Sequence, residues 1–166
     1  MSKLSCRVFL PAVIVAAVLS ACGGGNGGDL VPTPVAATLT VSNATSPSFN
    51  GVYTTDAVQL TDVVKVDPIG SQPEVCSFKF SGPAGPNGQV MSGDIRYIPG
   101  TEQLHTTFIS IGAFEFRSDD PTNSGAQGTN NRVVFTNKVF NSSTGVASSI
   151  TLSGIVPLRG GRPQGC

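Results

Sequence analysis

The 166-residue chain has no tryptophan, two tyrosines and a single histidine. So few polar aromatics leave little surface for a sugar or peptide platform. With one histidine, any catalytic dyad or histidine-based metal site has to use His105. Charge is scarce as well. Only 12 % of residues are charged, ten basic against ten acidic, and no block of either sign stands out. That excludes the basic footprint of nucleic-acid binding and the polybasic segments that hold anionic lipid. Gly-x-Ser-x-Gly, Ser-x-x-Lys, His-Glu-x-x-His and paired Cys-x-x-Cys are all missing. No repeat with a period of about 20–50 residues is visible, and no segment reads as an amphipathic helix.

What is present starts at the amino terminus. Lys3 and Arg7 make a positive beginning, and Phe9 to Leu19 form an uncharged core. At roughly a dozen residues the core is shorter than the about 20 that span a bilayer. A short apolar core between a basic start and small residues is the secretory-signal pattern. Pro11 would weaken a lasting helix there, which matters little in a segment that is removed.

The core leads into Leu19-Ser20-Ala21-Cys22 and then Gly-Gly-Gly-Asn-Gly-Gly. Over about the first thirty residues this order resembles the lipobox of bacterial lipoproteins. The resemblance implies cleavage after Ala21, a thioether-linked diacylglycerol on Cys22 and acylation of the new amine. The bilayer is then a partner through the Cys22 lipid, and several acyl chains suffice for stable anchoring. Gly23 stands where retention at the inner membrane uses Asp, so the implied location is the outer membrane, facing the periplasm. An ordinary cleaved signal or an uncleaved anchor, with an incidental cysteine, is the competing reading. The glycine-rich exit fits the lipidated one better. Cys6 leaves with the signal.

The expected organisation is a signal peptide over residues 1–21, a lipidated and glycine-rich tether over 22–35, and one β-domain over 36–166. Loss of Lys3 and Arg7 leaves eight basic and ten acidic residues, a net charge of −2. With Cys6 and Cys22 assigned, Cys76 and Cys166 remain. In an exported chain such a pair reads as a disulfide, with two free thiols as the alternative.

From Ala36 the pattern has period two, punctuated by Gly, Pro and Asn. Thr38–Val41 is a strand, and Asn50-Gly51 within Pro47–Tyr53 is a tight-hairpin signal. Val58–Val66 reads as one strand. Glu74–Ser81 alternates with Cys76, Phe78 and Phe80 on one face, and Gly82–Gly88 reads as neither helix nor strand. Gln89–Ile98 and Glu102–Ile111 are joined by a type II turn at Pro99-Gly100. Ala113–Arg117 follows with Phe114 and Phe116 on one face, then a polar loop over Ser118–Asn131. Arg132–Phe140 and Val146–Leu158 form a last hairpin before the irregular tail Arg159–Cys166. The fold class is therefore all-β, an antiparallel β-sandwich or small β-barrel of about seven to nine strands. Eight phenylalanines, Phe108 and Phe114 among them, are expected to fill its core.

Candidate chemistry is thin. His105 shares a strand face with Thr107, Ile109 and Ile111 and reads as a structural or surface histidine. Asp119, Asp120 and Asn123 offer oxygens that calcium favours, but the spacing is no EF-hand and such residues dominate ordinary turns. Arg159-Gly160-Gly161-Arg162 fits an anion-binding backbone or, better, a constrained tail. Asp94 and Arg96 read as a solvated pair on one face. No cofactor, catalytic residue or metal site is expected. The function expected is a membrane-anchored envelope lipoprotein that presents a non-enzymatic β-domain for structural or protein-interaction roles, an envelope protein being the candidate partner. A carrier or binding module for a small apolar ligand is the alternative, and an enzyme comes last.

Overall fold

The computed structural model describes residues 34–144 and 148–166; the expected signal peptide, Cys22 and the expected tether through Thr33 lie outside them. The described residues form eleven strands, the longer ones largely alternating inward and outward side chains: β1 (Ala37–Ser42), β2 (Gly51–Thr55), β3 (Gln59–Leu60), β4 (Val64–Val66), β5 (Val75–Ala84), β6 (Val90–Tyr97), β7 (Leu104–Ile111), β8 (Phe114–Ser118), β9 (Ser124–Gln127), β10 (Arg132–Ser142) and β11 (Ser149–Pro157). Eight of them close an antiparallel barrel in the order β1-β2-β5-β6-β7-β8-β10-β11. Closure comes from β11 returning to β1, with Thr38 opposite Ile155. A barrel abolishes the open sheet edges that a sandwich keeps, and eight strands enclose a space that side chains can fill.

The interior is packed. Tyr53, Phe78, Tyr97, Phe116, Phe135 and Phe140 are among the largest buried side chains. Tyr53 sheds its polar end by donating to the Phe49 carbonyl at 2.9 Å. Phe49, from the single turn Pro47–Phe49, closes one end of the barrel and meets Phe114 and Phe116 edge-on at 5.1 and 5.7 Å. The opposite end carries the starts of β1, β5, β7 and β10. There Cys76 forms a disulfide with Cys166, their Cα atoms 5.7 Å apart.

Several segments differ from the sequence expectation. Asn50-Gly51 is not a two-residue turn: Asn50 is extended, and the β1–β2 connection runs from Asn43 to Asn50. Val58–Val66 breaks into β3 and β4, both along β5, because β2 pairs with β5 only at Thr54–Ala84. Strand β5 continues through Gly82 and Pro83 by way of a bulge between Ser81 and Ala84. The loop Ser118–Asn131 holds β9, which covers the start of β10. The type II turn at Pro99-Gly100 is present, with Gly100 at φ +72° and Thr101 N–H donating to Ile98 at 3.2 Å.

Candidate functional site

Strands β5 to β8 are successive antiparallel partners, so their registers line outward side chains into rows across the wall. One row is Lys79, Asp94, Phe108 and Arg117; the next is Ser81, Ser92, Ser110 and Glu115. Segment 59–61 runs along β5 and banks the rows on one side, with Thr61 N–H donating to the Lys79 carbonyl at 3.0 Å. Together they bound an open groove of about 680 Å³. Gly93 lies in its floor because the Phe80 ring packs over it, and a Cβ there would lie 2.7 Å from the Phe108 carbonyl oxygen. No donor or acceptor among the described residues engages the hydroxyls of Ser81, Ser92 and Ser110, and Lys79 makes no ion pair among them. Glu115 accepts from Ser143 Oγ at 2.7 Å.

Phe108 is half-buried on this outer wall and not in the core. Arg96 and Arg117 lie over its ring at 5.6 and 5.4 Å from the centroid. Each guanidinium is anchored by a carboxylate. Arg96 reaches Asp94 through Nε at 3.3 Å and through a terminal nitrogen at 3.1 Å, and Asp94 also accepts from Ser77. Arg117 Nε reaches Asp119 at 2.9 Å, and Thr106 Oγ1 donates to the same carboxylate at 2.9 Å. Partial burial alone would raise the Asp119 carboxyl. The hydrogen bonds from Arg117 and Thr106 more than offset this, and nearby Arg117 and His105 add to them, so its pKa falls below 3.8. Phe114 also departs from the core assignment, being 52 % exposed at the rim.

His105 sits at a bulge where the β6–β7 register shifts: Arg96 faces Thr106, while Tyr97 faces Leu104. It therefore has no residue opposite and is half-exposed, out of phase with Thr107, Ile109 and Ile111.

The oxygens of the loop after β8 do converge on a cation, but the cation belongs to the chain. Lys138 is turned inward on β10 and is buried. Its Nζ donates to the Asp120 and Thr122 carbonyls, the latter at 2.8 Å, and lies 3.5 Å from an Asp120 carboxylate oxygen. Burial lowers the Lys138 pKa, and Asp120 acts against that shift. Asp120 accepts from Thr122 N–H at 2.8 Å and from Thr122 Oγ1 at 2.7 Å, which with the Lys138 ammonium holds its carboxyl below 3.8. Asn123 takes a left-handed conformation, and its carbonyl accepts from Thr136 N–H at 2.9 Å. Asp119, Asp120 and Asn123 are thus committed to protein donors. Among the described residues no cluster of three or more His, Cys, Asp or Glu could hold a metal ion.

The guanidiniums of the tail are committed too. Arg162 donates to the Asn131 side chain and to the Arg159 and Gly128 carbonyls at 2.7–2.9 Å. Arg159 pairs with Asp62 at 3.0 Å. Sequence reasoning missed the groove, because its rows depend on the pairing of four strands. It missed Lys138 as well, although a signal was there: Val133 and Phe135 are odd-numbered apolar positions, while Phe140 is even. Compared with known protein families, curated proteins and solved structures, the chain matches none.

Proposed function

We propose that this chain is a lipid-anchored envelope protein whose barrel is a non-enzymatic binding module, working through the groove on its outer wall. The lipobox-like Leu19-Ser20-Ala21-Cys22 supports the anchor, and Gly23 supports an outer-membrane address facing the periplasm. One observation carries the binding reading. The interior is packed, and the outer wall presents three unengaged serine hydroxyls between the Phe108 ring, Lys79 and Glu115. Hydroxyls that both donate and accept, beside Lys79, Arg96, Asp94 and Glu115, suit the polar surface of an envelope protein partner.

The test is affinity capture from envelope extract with the lipidated protein and with a Ser92→Arg variant that fills the groove. A saturable protein partner that the variant loses is the expected result. Equal capture by both proteins, or no saturable partner, overturns the binding reading. A Cys22→Ser protein that stays in the membrane fraction as firmly as wild type overturns the anchor.

A further inference from the structure

The two ends of the barrel are not equivalent for an anchored protein. The described chain begins at Pro34, immediately before β1, so the tether joins the end that carries the disulfide. Four apolar residues stand exposed on that side: Val35 at 47 %, Val64 at 52 %, Val66 at 37 % and Ile69 at 70 %. They lie along one edge of the fold, Val35 beside the start of β3 and the others four or more residues further along β5. The Val35 carbonyl accepts from Val58 N–H at 2.9 Å, just before β3, and β4 continues down the edge of β5. Ile69 projects past that edge in the connection to β5, where it bridges Gln72. The nearby charges are largely matched, Lys65 with Glu74 at 3.2 Å and Arg159 with Asp62 at 3.0 Å. Asp56 and Asp67 lack an ion pair there among the described residues.

Exposure alone does not single out this patch, since Val90, Phe114 and Val139 are about as exposed elsewhere. The tether does. Twelve residues, Cys22 to Thr33, separate the lipid-bearing position from the barrel. Their covalent reach is at most about 40–45 Å. A lipid on Cys22 therefore holds this end at high effective concentration beside a lipid surface. Apolar side chains ringed by matched charges suit the neutral headgroup boundary, into which such residues insert without a polybasic patch.

We propose that Val35, Val64, Val66 and Ile69 form a membrane-docking corner, which seats the barrel on the bilayer and leaves the groove facing sideways. This rests on the anchor reading, and the test separates the two. The chain has no tryptophan, so Ile69→Trp installs a single indole at the patch and Val139→Trp a control on the wall at β10. Each lipidated full-length variant is reconstituted into phosphatidylcholine vesicles containing dibrominated phosphatidylcholine. The expected result is a blue-shifted Ile69→Trp indole quenched about twofold or more, with the Val139→Trp indole unaffected. A vesicle-bound protein whose Ile69→Trp indole is not quenched overturns the docking corner and leaves the anchor standing. So does a blue shift that appears equally without lipid, which would mean a second copy covers the patch. A protein that fails to sediment with vesicles overturns the anchor and the docking together.

Discussion

Lys138 Nζ donates to the Thr122 carbonyl oxygen at 2.8 Å, sixteen residues back along the chain. A buried ammonium thus does the work of an ion for the loop after β8. Lys138→Met keeps the apolar stem and removes the charge. It should lower stability by about 1–3 kcal/mol, because two carbonyls lose their donor in a buried setting. Amide exchange should rise first in the loop over residues 119–123. Unchanged stability and unchanged exchange would show that Lys138 does not hold the loop.

Asp119 and Asp120 make the fold sensitive to acid. Both folded pKa values lie below the ordinary 3.8, so both carboxylates bind protons less readily folded than unfolded. Their stabilisation is complete above about pH 4 and is lost as the pH falls through the lower folded values. Denaturant midpoints followed from about pH 5 to about pH 2 should fall, and Asp119→Asn should flatten that decline. An equally steep decline in the variant would count against the Arg117 and Thr106 bonds as its cause.

The tail is held by more than its covalent tie. Tyr97 Oη donates to the Cys166 carbonyl at 2.7 Å, and Gly100 N–H to the Gly165 carbonyl at 2.7 Å. The disulfide closes a separation of 90 residues. On chain-entropy grounds such a loop is worth about 4–5 kcal/mol, with measured losses often smaller. Cys166→Ser should therefore cost a few kcal/mol, at most about 5. Arg162→Ala in the oxidised protein should speed proteolysis at Arg159–Gly161 without reducing the disulfide. Two free thiols by mass spectrometry in the purified protein would remove the basis for the first prediction.

Gly93 has no room for a side chain. The Phe80 ring and the Phe108 carbonyl, the latter 2.7 Å from an ideal Cβ, crowd the position. Gly93→Ala should destabilise by about 1–3 kcal/mol, measured by chemical denaturation. Ser92→Ala, one residue away on the outer face, should be near neutral. Equal effects of the two would contradict the packing of Phe80 over Gly93.

Much of the barrel wall was legible in the sequence, because alternation is a local property. Cys76, Phe78 and Phe80 share one face by period two, and all three are buried. The Cys76–Cys166 pairing followed from counting cysteines in a chain read as exported. Phase shifts were less visible. The bulge between Phe135 and Lys138 turns a lysine inward, and the one at His105 turns a histidine partly outward. A bulge of one residue reverses every side chain beyond it; the apolar phase change from Phe135 to Phe140 signals the one in β10, but its position within that span comes from the partner strand's register.

The sequence by itself determined the all-β class, most of the strands, the cysteine pair and an amino-terminal pattern that resembles a lipobox. Each depends on neighbouring residues or on a count. Tertiary structure decided that the sheet closes as a barrel, since closure requires β11 to meet β1 more than a hundred residues away in sequence. It also placed Ser81, Ser92 and Ser110 side by side and put Phe108 between two arginines on the outer wall. Those juxtapositions come from registers set by long-range pairing, which no local period in the chain encodes.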